Sequence, residues 1–462
     1  RLSWERGERQ MIRILRTWED DPEFIASQLR RPPVGEAKVG AGAQAKTKEV
    51  FGKALTPPEA VARILADVQA KGREAVLHYT KAFDGVELDP KGLLLDLSEV
   101  EVEEDVEPQI LEALKRARDN IAAFHRKQLP NSWFETKEDG SCLGMRYLPL
   151  DSVGAYVPGG SAPLVSSVLM TVVPARVAGV KRIVVATPPG LGGEIHPQLL
   201  LAAKLAGATE ILLAGGAQGI AALAYGFEGF APVDKIVGPG NLFVTLAKKQ
   251  VLGTVGIDML AGPSEVLVIA DESAKASWVA ADLLSQAEHG ADSAAVLVTT
   301  AEELAQRVLE ELELQCNRLS RKEIAQEALR QVGRIVVCRN LDEAAELANL
   351  VAPEHLELAV ASPESLLGKI KHAGAVFLGQ HSPEPLGDYF AGPNHVLPTN
   401  GTARFSSVLG VDDYLRRSTI ISYSAEALQR DSRMIETLAG IEGLAAHANS
   451  VAIRREQEND EN

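Results

Sequence analysis

Short apolar runs alternate with glycine-rich turns and amphipathic stretches over most of the chain from Asp151 onward. This pattern is typical of successive strand and helix units, because a strand covered on both faces of a parallel sheet is apolar throughout. The runs predicted as buried parallel strands are RIVVAT (182–187), EILLAG (210–215), DKIVG (234–238), SEVLVIAD (264–271), SAAVLVTT (293–300) and GRIVVC (333–338). Segments with helical spacing of apolar residues separate them. The pattern therefore predicts two similar α/β layers.

Helical periodicity prevails on both sides of this region. Apolar residues recur at three- and four-residue spacing over 56–124, and residues 412–454 predict one or two helices that are too small to fold alone. Such a segment is expected to dock on another surface. Before residue 56, the sequence RRPP and an Ala-, Gly- and Lys-rich run through Lys48 predict a linker or a mobile arm, with simple disorder as the favoured alternative. The tail EQENDEN is expected to be solvated.

Length and charge restrict the class of protein. A chain of 462 residues exceeds what one hydrophobic core serves, which favours two or three domains. The 47 basic and 63 acidic residues give a net charge of -16, which repels a phosphate backbone or an anionic membrane. We therefore expect neither nucleic acid nor a membrane as a partner.

The cysteines, the most apolar stretch and the N-terminal residues indicate the expected cellular compartment. Only Cys142, Cys316 and Cys338 are present, without CxxC spacing, so a disulfide framework or a thiolate zinc site is not indicated and a cytoplasmic location is expected. The most apolar stretch, 162–180, contains a proline and an arginine, which argues against a membrane span. The residues before Met11 lack the apolar core of a secretory signal. Whether Arg1 or Met11 is the true start stays open.

Glycine-rich loops are the candidates for cofactor binding. GLGG (190–193) follows a strand but lacks the third glycine of the dinucleotide fingerprint, so a plain turn is favoured there. GGAQG and GPGN are better placed, because glycine lets the backbone approach a ligand at the carboxyl ends of strands, although such loops also serve merely to turn the chain. Tyr156 and the following PGGSAP could form a wall for a flat ring, or an irregular surface loop.

Two polar pairs are candidates for chemistry. Gln286 and His289 are three residues apart in a predicted helix ending at Gly290, so they share one face and could hold a metal, although this is a minority reading for such a pair. Glu354 and His355 in VAPEHLEL could supply a carboxylate and an imidazole to one pocket, or be a solvated pair at a helix end.

Two further residues carry weaker signals. Asp388 lies in PLGDYFAGPNHVLPT, a segment too rich in Gly and Pro to predict regular structure, and loops of this kind often carry sites. His447 could equally be a surface helix residue. The other histidines predict no site.

Eight long motifs occur together in an order that resembles the histidinol dehydrogenase family, from about Ile12 to Arg454. They are SVGAYVPGGSAPL, GGAQGIAALA, DKIVGPGNLFVTLAKKQV, IDMLAGPSEVLVIAD, LLSQAEHG, APEHLEL, GDYFAGPNHVLPT and EGLAAH. The resemblance implies an intertwined homodimer that oxidises L-histidinol through L-histidinaldehyde to L-histidine, reducing two NAD, in the last steps of histidine biosynthesis.

The resemblance also implies roles for individual residues. The family's ligands to one zinc ion per subunit match Gln286, His289, Asp388 and His447, the last coming from the partner subunit. The catalytic pair matches Glu354 and His355, with the glutamate activating water and the histidine acting as general base. Substrate contacts match Ser264, Glu442, His355 and the zinc ligands, and NAD contacts match Tyr156, Gln218 and Asn241.

The expected fold class is α/β, with two incomplete, Rossmann-like parallel-sheet domains and small helical extensions at both ends, in an intertwined homodimer with shared active sites. We expect an N-terminal arm (1–50), a discontinuous catalytic domain (51–153 and 263–409), an NAD-binding domain (154–262), and a C-terminal segment (410–462) that donates residues to the partner's site.

Three alternatives remain at this point. A relative that keeps zinc and NAD could oxidise another polar alcohol, although the substrate residues Ser264 and Glu442 argue against it. A metal-dependent hydrolase could use Glu354 to activate water without a nicotinamide. A non-catalytic NAD-binding protein would function without Glu354 and His355.

Overall fold

The computed structural model describes residues 11–33, 41–100, 106–159 and 163–460. Strands and helices alternate along most of the chain, which confirms the predicted α/β class. The chain divides into two compact units, one formed by Arg1–Gln128 with Leu150–Tyr414 and the other by Leu129–Pro149 with Leu415–Asn462.

The strands and helices have the following bounds in chain order. The strands are β1 (Arg13–Arg16), β2 (Leu94–Asp96), β3 (Trp133–Thr136), β4 (Cys142–Pro149), β5 (Ser152–Tyr156), β6 (Arg182–Thr187), β7 (Glu210–Leu213), β8 (Lys235–Val237), β9 (Gly256–Ile257), β10 (Glu265–Ala270), β11 (Ala294–Thr299), β12 (Arg334–Val337), β13 (His355–Ala359), β14 (Ala375–Leu378) and β15 (Leu415–Ser422). The helices are α1 (Pro22–Leu29), α2 (Ala41–Phe51), α3 (Pro57–Lys71), α4 (Arg73–Asp84), α5 (Pro108–Arg126), α6 (Val165–Ala178), α7 (Pro197–Ala206), α8 (Gly216–Tyr225), α9 (Leu242–Val251), α10 (Ala276–Ala287), α11 (Glu302–Cys316), α12 (Lys322–Gln331), α13 (Leu341–Val351), α14 (Pro363–Leu367), α15 (Glu384–Tyr389), α16 (Ala425–Ile441) and α17 (Ala445–Asp460).

The first unit contains a six-stranded sheet in the order β1-β12-β11-β10-β13-β14, and all of its pairings are parallel. Both faces of this sheet are covered. Val266 and Val268 pack on one side with helices α10, α11 and α12, whereas Leu267 and Ile269 pack on the other with α1 and α13. This double coverage explains why the strands are apolar throughout.

The second sheet of this unit has the order β2-β7-β6-β5-β8-β9, with β2 antiparallel and the rest parallel. From β5 the chain moves outward through β6 and β7, then returns to place β8 on the other side of β5. The strand order therefore reverses between β5 and β8. In open α/β sheets, ligands bind at such a reversal, outside the carboxyl ends of the strands.

Part of the region expected in the first domain (51–153) packs instead with the second sheet. Helices α3 and α4 share a core with β6, β7, α8 and α9, and β2 pairs with β7 at the edge of the second sheet. Val61, Ile64 and Val76 are fully or almost fully buried in this core. These helices therefore pack together with α8 and α9 against the second sheet.

The N-terminal arm is also corrected. Residues 13–16 form the edge strand β1, which pairs with β12, and residues 41–51 form helix α2 rather than a linker. Val50 and Phe51 of this helix pack against the core of the second sheet, which orders the segment despite its Ala- and Gly-rich composition. Residues 1–10 and 34–40, where the other part of the arm was expected, lie outside the described residues.

The second unit consists of the antiparallel sheet β15-β4-β3 and the paired helices α16 and α17. Residues 412–454 were expected to be helical, but 415–422 form a strand along the whole of β4. Its β-branched residues Thr419, Ile420 and Ile421 favour this conformation. Residues 461–462 at the end of the acidic tail lie outside the described residues.

In the part of the chain that the structure describes, we find no helix with both the length and the apolar character needed to cross a membrane.

Candidate active site

A cavity of about 610 Å³ lies in the first unit and holds most of the predicted site residues. Its walls include the segments at the amino ends of β10 and β13 in the first sheet, the end of α10, helix α15, and the loop 239–241 after the carboxyl end of β8 in the second sheet. Ser264, Gln286, His289, Glu354, His355 and Asp388 line it, and so does Asn241. The fold therefore brings together residues that are more than a hundred positions apart.

Glu354 and His355 lie where the chain enters β13, and the neighbouring strand β10 fixes both. The Glu265 backbone N–H donates to Glu354 Oε2 at 2.9 Å, and His355 Nδ1 lies 3.1 Å from the Glu265 carbonyl oxygen. With Nδ1 bonded to a carbonyl, Nδ1 carries the proton and Nε2 is left for chemistry. His355 Nε2 is buried with no hydrogen-bond partner among the described residues and lies 3.7 Å from Asp388 Oδ1.

Burial and mutual charge shift the pKa of both groups. Burial raises the pKa of Glu354 to about 8, against the opposing effect of the adjacent imidazole. Burial alone would lower the pKa of His355, but the carboxylates of Glu354, Asp388 and Glu384 outweigh it and raise that pKa to about 10. The pKa of Glu354 has thus moved towards the range in which a carboxylate is a useful base at neutral pH, whereas the surrounding carboxylates favour the protonated form of His355.

Gln286 is a buried polar side chain without a protein partner. It is completely buried in the last turn of α10, and neither its amide oxygen nor its amide nitrogen has a hydrogen-bond partner among the described residues. An unsatisfied buried amide costs about 1–3 kcal/mol, so such a group calls for a ligand. Gln286 lines a cavity that also contains a carboxylate and imidazoles, which together with an amide oxygen form a donor set for a divalent cation.

His289 lies just beyond the helix, since α10 ends at Ala287 instead of continuing to Gly290 as predicted. It still reaches the cavity, because its Nδ1 bonds to the Ser285 carbonyl oxygen at 2.9 Å and the ring is exposed. Its nearness to Asp388 contributes to the lowered pKa of that carboxyl. Gln286 and His289 thus line the same cavity, although only Gln286 lies within the helix.

Asp388 lies on the short helix α15, whereas the sequence predicted an irregular loop. Pro385 falls in the first turn of this helix, where its missing N–H costs nothing. Burial works to raise the pKa of Asp388, but the neighbouring His355, His395 and His289 hold it below its usual range. The carboxylate is therefore charged and able to bind a cation.

Two residues of the site were missed in the sequence. Glu384 is one helical turn before Asp388, and one ligand atom each from His355, Glu384 and Asp388 lie within 4.8 Å of one another, close enough to hold a metal ion. His395 also lines the cavity and places Nδ1 3.0 Å from the Asp388 carbonyl oxygen. The i, i+4 spacing of Glu384 and Asp388 would have revealed the first had the segment been predicted as helix.

The predicted cofactor residues lie at the reversal of the second sheet. Asn241 lines the cavity and caps α9 by accepting hydrogen bonds from two backbone N–H groups at 3.0 and 3.1 Å. Tyr156, at the end of β5, accepts a hydrogen bond from Gly216 N–H at 3.0 Å, and Gln218 donates weakly to Asp84 at 3.5 Å. Tyr156 and Gln218 are buried, and neither is among the residues that line the cavity.

Two further glycine-rich segments were considered in the sequence, GLGG and PGGSAP. Gly193 N–H bonds to the Gly190 carbonyl at 2.9 Å, so GLGG closes a plain turn as predicted. Residues 160–162 of PGGSAP lie outside the described residues, whereas Pro158 lines the cavity.

Glu442 and His447 belong to the second unit. Glu442 caps the carboxyl end of α16 and His447 is in the first turn of α17, and both side chains are exposed. Their predicted contribution to a partner's site remains a prediction.

Comparison with known proteins gives a consistent result. A profile of the family described as histidinol dehydrogenase matches residues 52–455. The histidinol dehydrogenase of Heliobacterium mobile is 54% identical over 400 residues, covering 86% of this chain and 93% of that protein. That of Bacillus subtilis is 52% identical over 394 residues, covering 85% and 92%. The crystal structure of histidinol dehydrogenase from Elizabethkingia anophelis matches with a TM-score of 0.87 at 38% identity, covering 97% of this chain and 99% of that one.

Proposed function

Because this chain belongs to the histidinol dehydrogenase family, we propose that its cavity oxidises L-histidinol to L-histidine in two steps with zinc and two NAD. One observation carries the proposal: the buried pair Glu354 and His355 shares a cavity with the unpartnered amide of Gln286 and the carboxylate of Asp388. The first pair can move protons, and the second can hold a cation.

The donor set fits a zinc site that keeps positions open for substrate. Gln286, His289 and Asp388 supply an amide oxygen, an imidazole and a carboxylate from this subunit, and His447 of another copy would complete the set. When bound, zinc supplies a fixed anchor for the substrate's imidazole and amino nitrogens, and NAD supplies the hydride acceptor. His355 gives up its proton more readily once the charge of Asp388 is engaged by a cation.

The protein's own groups account for the proton transfers. His355, held through Nδ1 by Glu265, takes the hydroxyl proton at Nε2 as the alcohol is oxidised. Glu354 takes a proton from the water molecule that adds to the aldehyde, and its raised pKa makes it a stronger base for that step. After releasing the first proton to solvent, His355 takes the hydroxyl proton of the hydrate during the second oxidation. His355 thus serves both oxidations, and Glu354 serves the addition of water between them.

Shared active sites are supported by the surface of the second unit. Helix α16 exposes Met434, Leu438 and Ile441 at spacings of four and three residues, with exposed fractions of 60%, 64% and 78%. Trp133 and Phe134 of β3 are also at least half exposed. An apolar face of this extent is typical of a surface covered in an assembly, which supports the proposed homodimer.

The zinc site predicts an unusual effect of removing Gln286. We expect Gln286→Met to leave the metal-free protein as stable as the parent or more stable, because the variant removes an unsatisfied amide while conserving volume. Zinc affinity should fall at least about tenfold, which corresponds to about 1.4 kcal/mol. Calorimetric melting of metal-free protein and competition with a chelator measure the two effects. Gln250→Met, at an exposed glutamine, is the control; unchanged zinc affinity in Gln286→Met would contradict the proposal.

The shared site predicts complementation between inactive subunits. Co-expressed His447→Asn and His355→Asn chains should regain about a quarter of the parent activity, since half of randomly paired dimers are mixed and each mixed dimer holds one intact site. L-histidine formed per mole of co-expressed protein measures this, and purified mixed dimer should show about half of the parent activity. The pair His355→Asn and Glu354→Gln is the control for L-histidine formation, because every site then keeps one defect. Mixed dimers that form but stay inactive would refute site sharing.

A further inference from the structure

An ion pair between Lys248 and Asp258 is enclosed beneath the carboxyl end of the second sheet. Lys248 lies on α9 and Asp258 directly follows β9, and their side chains are 3% and 0% exposed. The Lys248 Nζ is in direct contact with Asp258 Oδ1. Burying two charges carries a desolvation cost that an apolar pair of similar volume would not have. The pair therefore calls for a role that apolar residues cannot fill.

The pair holds both backbone polar groups of a single residue, Gly238. The Gly238 N–H donates to Asp258 Oδ2 at 2.8 Å, and the Gly238 carbonyl oxygen accepts from Lys248 Nζ at 2.9 Å. The Met259 N–H also donates to Asp258 Oδ1, at 2.6 Å. One cation and one carboxylate thus fix the direction of the two peptide groups on either side of Gly238.

Gly238 is the residue at which the chain leaves β8 for the cavity. Its φ of +106° is a conformation that side chains disfavour, and a Cβ here would lie 2.2 Å from the Tyr156 carbonyl oxygen. Loop 239–241 follows at once and lines the cavity through Pro239, Gly240 and Asn241. The orientation of Gly238 therefore sets the path of the loop at the strand reversal.

We propose that Lys248 and Asp258 are positioning residues for the cofactor: by clamping both peptide groups of Gly238, they hold loop 239–241 in the conformation that binds the dinucleotide. This inference rests on the proposed NAD site. Neither residue lines the cavity, so they act through the loop and touch no substrate. Without the two side chains that hold Gly238, the loop samples other backbone conformations. The binding of NAD then includes the free-energy cost of ordering the loop.

Three variants separate positioning from simple stabilisation. Lys248→Met leaves a buried carboxylate without its partner, Asp258→Asn removes the negative charge at nearly constant shape, and the double variant leaves no isolated charge. The double variant should regain most of the melting temperature lost by Lys248→Met. Its Kd for NAD should still be at least tenfold above that of the parent, because the Gly238 carbonyl has lost its donor.

The experiment measures NAD binding by titration calorimetry on zinc-loaded protein, beside melting temperature, zinc content and L-histidinol binding, which should stay within threefold of the parent. The control double variant Lys235→Met with Asp413→Asn removes another partly buried ion pair, which Lys235 forms from the opposite end of β8, and should leave the Kd for NAD unchanged. If the double variant regains stability and NAD affinity together, or if no variant changes that Kd, the positioning role is overturned. If the parent protein binds no NAD, the cofactor assignment itself fails, and this inference falls with it.

Discussion

His355→Asn is expected to lower kcat for L-histidinol by about 10²- to 10⁴-fold, the usual contribution of a general base. The loss should extend to L-histidinaldehyde, because the same imidazole serves both oxidations. Asparagine can still interact with the Glu265 carbonyl, so the register of β13 with β10 should survive. Steady-state kinetics with each substrate, beside zinc content and melting temperature, measure the effect.

The matched control for this variant is His372→Asn, at a histidine that does not line the cavity. It should keep the parent rate on both substrates. A loss of less than tenfold in His355→Asn, with zinc still bound, would remove His355 from the role of base.

Glu354→Gln is expected to separate the two oxidations. The glutamine oxygen can still accept the Glu265 N–H, so the pocket keeps its shape, but the group can no longer take a proton from water. Oxidation of the alcohol should stay within about tenfold of the parent rate, while oxidation of the aldehyde falls by about 10²- to 10⁴-fold. Single-turnover measurements with each substrate, and chemical trapping of the aldehyde, follow the two stages.

The isosteric change makes this variant its own structural control, because unchanged melting temperature and zinc content show that the fold is intact. Equal losses in both stages would contradict the division of labour between Glu354 and His355.

Six buried parallel strands, β6, β7, β8, β10, β11 and β12, could be predicted from sequence because their residues are apolar on both faces. The other strands could not, and these include β5 and β13, although both are fully buried. β1 and β2 are short edge strands, every residue of β3 is exposed, and β15 is exposed along most of its length, so none has an apolar run. Edge and surface strands carry mixed residues, and only their pairing partners define them.

The sheet against which helices α3 and α4 pack also could not be predicted from their own sequences. Their apolar spacing predicts an amphipathic helix but not which sheet it covers. They pack with α8 and α9 against the second sheet, and this depends on the arrangement of strands far along the chain.

Prediction of the site is limited in the same way by contacts between residues that are distant in sequence. Local sequence marked Glu354, His355 and Gln286 as candidates, but the pairing of β10 with β13 is what places Glu265 against the first two, about 90 residues away. The unsatisfied amide of Gln286 is a property of the folded cavity and has no sequence signature. The family resemblance predicted that these distant residues share one site, which periodicity cannot predict. It could do so because it rests on motifs spread over most of the chain.

A two-step oxidation of one substrate in one cavity fixes the stoichiometry of the reaction. L-histidinol and NAD are supplied to the zinc-loaded protein, and the NADH formed per L-histidinol consumed is counted. Two NADH are expected, with L-histidine as the product. One NADH with release of the aldehyde, or none across a range of pH and added zinc, would contradict the two-step oxidation.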